Sequence, residues 1–204
     1  MLLRPIASMA FLMGTILGCR QGPDRVAAPE WEPDQFADQV LAKLDASADG
    51  ALEADELIIA PGLAWGAKYI DANQDGVLSR DELVARFEFY RNLNVGATSK
   101  ELEFVYKGRP IPEAKVKLVP EFFLEGVLES AAGDTNALGI ADIQAAGVEQ
   151  VGLRPGYYRI SVDSPRIKIP TKYSAVDTTP LGVEVPPYSS DPAVYGTIRL
   201  QLND

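Results

Sequence analysis

Two closely similar acidic segments constrain this chain more than any other feature of its sequence. DASADGALEADEL begins at Asp45 and DANQDGVLSRDEL begins at Asp71. Each segment has oxygen-bearing side chains at its first, third and fifth positions, a glycine at its sixth and a glutamate at its twelfth. Alternating oxygen donors around a glycine turn suit a hard divalent cation, and calcium accepts the most flexible geometry. A solvated turn would explain one such segment, but the repetition of every ligand position favours a duplicated metal site.

The candidate ligands are the side-chain oxygens and the seventh-position carbonyls of these segments. They are Asp45, Ser47, Asp49, Ala51, Glu53 and Glu56 in the first, and Asp71, Asn73, Asp75, Val77, Ser79 and Glu82 in the second. These segments resemble EF-hand loops, in which the last glutamate binds through both oxygens. The resemblance implies two calcium ions, with Glu53 acting directly or through a water and Ser79 through a water. It also implies a short β-bridge between the eighth-position residues Leu52 and Leu78.

The spacing of the two segments limits the helices between them. They begin 26 residues apart, and Pro61 followed by Gly62 divides residues 57–70 into two short pieces. A pair this compact resembles the EF-hands of bacterial exported proteins and the duplicated loops of dockerins. That resemblance implies a structural role for calcium and not the wide opening of a calcium sensor. Apolar residues at helical spacing predict a helix on each outer side of the pair. They are Phe36, Val40, Leu41 and Leu44 before it, and Leu83, Val84, Phe87 and Tyr90 after it.

The amino terminus has the layout of an export signal. MLLRPIASMAFLMGTILGC has one arginine, then an apolar run that is too short for an ordinary membrane-spanning helix. Its ending, ILGC, resembles the lipobox of bacterial lipoproteins, which implies that Cys19 becomes the lipidated first residue. An ordinary signal cleaved nearby is the alternative. We expect residues 1–18 to be a signal peptide and residues 19–31 a tether.

The second half of the chain changes to a two-residue periodicity after a predicted linker at residues 93–100. Short alternating segments such as ELEFVY, KVKL and IRLQL predict strands that each bury one face. The segments KGRPIPEAKVKLVP and GLRPGYYRISV resemble the carboxypeptidase regulatory-like, transthyretin-like β-sandwich. The resemblance covers residues 101–204 and implies a binding or spacer module. The aromatic residues there offer stacking surfaces for a sugar or peptide, but we expect most of them to lie in the core.

These observations predict an α+β chain of two domains. The first is a small α-helical EF-hand pair at residues 32–92. The second is an all-β, seven-stranded type of sandwich at residues 101–204.

Composition excludes several kinds of function. The chain has no histidine and one cysteine, which rules out a Ser-His-Asp triad, a Cys-His pair and a His-ligated zinc site. Residues 30–90 hold 14 acidic and 4 basic residues, a net charge of −10. The chain has no basic stripe, so we expect no nucleic-acid partner. We also expect no enzymatic activity.

The leading hypothesis is a calcium-binding, exported and lipid-anchored protein of the cell envelope, periplasmic or on the cell surface, with a structural, adhesive or binding role. The alternative is a calcium-dependent component of an envelope complex, with a protein or glycan partner. An enzyme that works without histidine ranks third.

Overall fold

The computed structural model of the protein describes residues 26–146, 152–186 and 196–204. Its three α-helices are α1 (Pro33–Leu44), α2 (Pro61–Ile70) and α3 (Arg80–Leu93). Short 3-10 turns lie at Glu56–Ile59, Phe122–Leu124 and Thr171–Tyr173. The outer helices bury the predicted faces, including Phe36 and Val40 in α1 and Phe87 and Tyr90 in α3. Proline starts both α1 and α2, where its missing N–H costs no hydrogen bond.

Ten strands accompany the helices. They are β1 (Ala51–Leu52), β2 (Leu78–Ser79), β3 (Glu101–Tyr106), β4 (Arg109–Pro110), β5 (Lys115–Pro120), β6 (Ala131–Thr135), β7 (Ile140–Ala145), β8 (Gly156–Asp163), β9 (Gly182–Val185) and β10 (Thr197–Leu202). β1 and β2 form a separate two-stranded ribbon. The others form one sheet in the order β10-β3-β7-β6-β5-β8-β9, with β4 beside β3. All pairings in that sheet are antiparallel except β10 with β3.

The predicted sandwich is wrong, because the large sheet is one continuous hydrogen-bonded path that curls into a half-barrel. Two facing sheets would be needed for a sandwich. The alternation of apolar and polar residues was a sound guide to the strands: β5 and β10 bury every second residue. Alternation identifies a buried face but not what covers it, and here helices cover part of it.

The predicted division into a separate EF-hand domain and a strand domain is also wrong, since helices and sheet share one hydrophobic core. The Phe87 ring of α3 lies with its centroid 5.4 Å from that of Phe123 and 6.0 Å from that of Tyr157 in β8. Trp31 stacks on Tyr90 with centroids 4.4 Å apart. Residues 26–31, the described end of the predicted tether, therefore lie against the folded body.

Three glycines let α2 lie directly on the sheet. Gly62 and Gly66 are four residues apart and so occupy one face of the helix. A Cβ added to Gly62 would come within 2.8 Å of the backbone N and O of Tyr158 in β8. A Cβ added to Gly182 in β9 would overlap the backbone of Pro61 and Gly62. The helix and the sheet are thus in contact through their backbones.

Gly182→Ala should destabilise the protein, because the added methyl group meets backbone atoms that no side-chain rotation can move. We expect a loss of about 3 kcal/mol in the free energy of unfolding, read as a drop of roughly 10 °C in Tm by calorimetry. Gly152→Ala is the matched control, since its nearest backbone neighbour would be 3.3 Å away. Equal Tm values for the two variants would contradict the close contact.

Candidate functional site

The two acidic segments form loops with the same backbone path. Asp45 follows α1 with φ −68° and ψ 88°, and Asp71 follows α2 with φ −64° and ψ 88°. Gly50 and Gly76, at the sixth positions, have φ of +87° and +89°. Only glycine adopts that region without strain, so the glycine of the motif is required by the turn.

The first-position aspartates organise the start of each loop. In both loops one carboxylate oxygen accepts the fourth-position N–H and the other accepts the sixth-position N–H. The distances are 2.6 and 3.0 Å at Asp45. They are 2.7 and 3.1 Å at Asp71. These bonds turn the chain around both aspartates in the same way.

The last-position glutamates close each loop onto its own beginning. Glu56 Oε1 accepts the second- and third-position N–H groups at 2.7 and 3.0 Å, and Glu82 Oε1 does the same at 3.0 and 3.3 Å. Their Oε2 atoms accept the ninth-position N–H groups of Glu53 at 3.1 Å and Ser79 at 3.0 Å. First and last candidate ligands are therefore brought together in both loops.

The remaining candidate side chains lie between those ends. Ser47 Oγ donates to Asp45 Oδ1 at 3.1 Å, and Asn73 Nδ2 donates to Asp75 Oδ2 at 2.8 Å. The fifth-position aspartates, Asp49 and Asp75, accept the N–H groups of Ala51 and Val77, both at 3.0 Å. Ser79 caps α3 through a reciprocal pair of hydrogen bonds with Glu82.

A short antiparallel ribbon holds the loops side by side. Leu52 in β1 pairs with Leu78 in β2, which confirms the predicted bridge between the eighth positions. Both leucines are buried. The pairing makes the two loops one structural unit.

The chemistry of the loops suits a hard cation, because all the candidate ligands are oxygen atoms. In the part of the chain that the structure describes, no group of three or more His, Cys, Asp or Glu side chains is arranged so as to hold a metal ion. The hydrogen bonds described above account for this absence in part, because the carboxylate oxygens of Glu56 and Glu82 accept from backbone N–H groups. Occupancy by calcium stays a prediction, and the donor types and their order fit it.

Neighbouring groups perturb the loop carboxyls. The backbone N–H of Ser47 and the Glu53 carboxyl hydrogen-bond to Glu56 and lower its pKa to about 2. The same contact with Glu56 raises the pKa of Glu53. Burial would raise the pKa of Glu82, but hydrogen bonds from Ser79 and from the loop N–H groups outweigh it and lower that pKa.

Glu184 in β9 is a fully buried carboxylate that contacts α3, the helix after the second loop. Its Oε1 accepts hydrogen bonds from Arg86 Nε at 2.9 Å and Nη2 at 2.6 Å, from Tyr90 at 2.6 Å and from Tyr157 at 3.0 Å. Burial, and then the charge of Glu184, raise the pKa of both tyrosines well above the ordinary value. Their hydroxyl groups therefore stay protonated and available as donors.

A second buried carboxylate, Glu121, holds the start of α2. Its Oε1 accepts the N–H of Gly62 at 2.7 Å, and its Oε2 accepts from Arg159 Nε at 2.9 Å. Burial raises the pKa of Glu121, although Arg159 acts in the opposite direction. The carboxylate supplies the acceptor that the first turn of a helix lacks.

Sequence reasoning missed both buried carboxylates. Glu184 stands in GVEV and Glu121 follows a proline, so neither belongs to a motif with a known chemistry. The one usable signal was the spacing of Gly62 and Gly66, which marks a helix face that can approach another backbone closely. That spacing says nothing about which acidic residue lies opposite.

The predicted lipidation site, Cys19, and the predicted signal peptide lie outside the described residues. Within the described ranges, no helix is both long enough and apolar enough to cross a membrane.

Comparisons with known proteins give no relative. The chain matches no family model, no curated protein and no solved structure. The resemblances to calcium-binding loops and to carboxypeptidase regulatory-like domains therefore stay predictions.

The lowered pKa of Glu56 predicts an acid-dependent loss of stability in the calcium-free protein. Because its pKa in the folded protein lies below the ordinary value of 4.5, Glu56 stabilises the fold above pH 4.5. That contribution is lost as the pH falls from 4.5 towards 2. Carbon-detected NMR titration of the Glu56 carboxyl should give a midpoint of about 2.

Glu53→Ala is the control for this titration, since it removes the neighbouring carboxyl and should raise the Glu56 midpoint. A wild-type midpoint at 4.5 or higher would contradict the loop geometry.

Proposed function

We propose that the protein binds two calcium ions, one in each loop, and that the ions brace the helices against the curled sheet. The observation that carries this proposal is the duplication of one hydrogen-bond network, from the first-position aspartate to the last-position glutamate. The two loops differ at five of their thirteen positions, and they keep the same arrangement of oxygen ligands. A solvated turn gives no reason for that agreement.

The ligands of the proposed ions follow from the loop positions. The first ion would be held by Asp45, Ser47, Asp49, the Ala51 carbonyl, Glu53 and Glu56. The second would be held by Asp71, Asn73, Asp75, the Val77 carbonyl and Glu82, with Ser79 acting through a water. Bound calcium would neutralise part of the excess negative charge of residues 30–90. The chain itself supplies the turns and the flanking elements, which are α1 and a 3-10 turn for the first loop and α2 and α3 for the second.

The attachment of the helices supports a bracing role. Arg86 and Tyr90 tie α3 to Glu184, and Gly62 ties α2 to Glu121. A buried carboxylate is costly without its hydrogen-bonding partners, so each of these contacts favours the closed position of its helix. A wide movement of these helices on calcium binding is therefore opposed by the sheet.

Calcium should raise the Tm of the protein, and the last-position glutamates should be required for this. At a calcium concentration of about 100 times Kd, each occupied loop adds about 2.7 kcal/mol, or roughly 5 to 10 °C. Glu56→Gln and Glu82→Gln should each remove about half of the rise measured by calorimetry, and each should abolish one binding event in titration calorimetry.

Asp55→Asn and Asp81→Asn are the matched controls, because each removes a charge next to a glutamate ligand without removing a ligand. Both should keep the full rise in Tm. A Tm that does not change between chelator and 10 mM calcium would refute calcium binding.

The place of action that we propose is the cell envelope, with the chain anchored through a lipidated Cys19. The apolar run ending in ILGC supports this, as does the position of the cysteine at its end. Two or more acyl chains on one residue would give stable attachment without a spanning helix.

Cys19→Ser should release the protein from membranes of a bacterial host. The wild-type chain should fractionate with membranes and carry a fatty-acid mass on its first residue, measured by mass spectrometry. A chain that begins at another residue and lacks this mass would refute lipid anchoring while leaving calcium binding unaffected.

A further inference from the structure

We propose that Glu184 is a positioning residue for the second loop, although it lies in a strand of the large sheet. This inference rests on the proposed calcium binding. It adds that the calcium affinity of the second loop depends on a buried carboxylate that does not itself bind the ion. Glu184 contacts both of the helices that flank that loop.

The first contact is with α3, which carries the last ligand of the loop. Glu82, Arg86 and Tyr90 are spaced four residues apart, so they follow one stripe along the helix. Arg86 and Tyr90 both donate to Glu184 Oε1, at distances down to 2.6 Å. The Arg86 side chain is only 16% exposed, so water competes weakly for this ion pair. Glu184 therefore fixes the rotation and height of α3 one and two turns beyond Glu82.

The second contact is with α2, which delivers the first ligand, Asp71. Among the described residues, Glu184 Oε2 is buried and has no hydrogen-bond partner. It lies against Gly66, where an added Cβ would come within 2.8 Å of that oxygen. Gly66 stands five residues before Asp71, which directly follows the last residue of α2. The two oxygens of one carboxylate thus contact the two helices that hold the ends of the second loop.

Among the described residues, no buried carboxylate hydrogen-bonds to the elements that flank the first loop, which are α1 and the 3-10 turn Glu56–Ile59. Its last ligand, Glu56, starts a 3-10 turn, and the nearest buried carboxylate on the chain after it is Glu121, which accepts from Gly62. In the described structure, the hydrogen-bond partners of Glu121 are Gly62 and Arg159, and Lys43 of α1 acts on it through its charge without a hydrogen bond. Glu121 is also fully buried and paired with an arginine. It is therefore a matched control for the loss of a buried charge near α2.

The test is a calcium titration of the full chain that reads the two loops separately. The amide N–H groups of Gly50 and Gly76 donate to the first-position aspartates, so their NMR shifts report on the first and second loops respectively. For Glu184→Gln we expect a Kd for the second loop raised about 5- to 10-fold, with a smaller change in the first. Glu121→Gln should lower Tm without this selective effect.

Tyr90→Phe is the second variant, for use where Glu184→Gln does not fold. It removes one hydrogen bond to Glu184 from α3 and should weaken the second loop in the same direction.

Each outcome separates the two proposals. A wild-type chain without calcium-dependent shifts at either glycine overturns calcium binding, and this inference with it. Normal wild-type binding combined with equal weakening of both loops, or with no weakening, overturns the role of Glu184 alone. The same selective loss in Glu121→Gln would also overturn it, because any buried charge near α2 would then suffice.

Discussion

The fold depends on the direct contact between α2 and the sheet. Gly62 and Gly66 bring the helix backbone against β8 and β9, and this closeness leaves Glu121 and Glu184 with no access to water. A buried carboxylate is costly unless it is paired and hydrogen-bonded. The close contact and the two arginine pairs therefore depend on each other. Without the pairs, the carboxylates could not be buried. Without the glycines, α2 could not reach the carboxylates.

This contact also explains why one core, and not two, forms. With α2 on the sheet, the ribbon between Leu52 and Leu78 holds the two loops together. The helices next to these loops, α1 and α3, then pack into the same core. Their aromatic residues then cover Phe123 and Tyr157, which a separate strand domain would leave exposed. The free energy of unfolding falls by several kcal/mol when the packing of an aromatic side chain of this size is lost. Separation of the helices from the sheet would thus expose the centre of the core.

Local features of the chain could be predicted from its sequence, and long-range ones could not. Periodicity identified α1, α3 and the strands β3, β5 and β10, Pro61 marked the start of α2, and the acidic motif identified both loops and the bridge between them. β6 and β9 were not identified in this way, and all four residues of β9 are buried, so it shows no alternation. The covering of the sheet by helices depends on contacts such as Arg86 with Glu184, 98 residues apart. No period or motif links such residues, which is why the two-domain sandwich was predicted and why the buried carboxylates were missed.

The energies involved favour calcium as a brace. At about 1 mM calcium, a site with a Kd of about 10⁻⁴ M stabilises the bound form by about 1.4 kcal/mol. Pulling α3 from the sheet would take Arg86 and Tyr90 away from the Glu184 carboxylate and would also expose Phe87. Burial of a phenylalanine side chain alone is worth about 1.5–3 kcal/mol. One ion at this affinity therefore falls short of the cost of opening, whereas it suffices to hold Asp71 and Glu82 at the separation that the sheet already imposes.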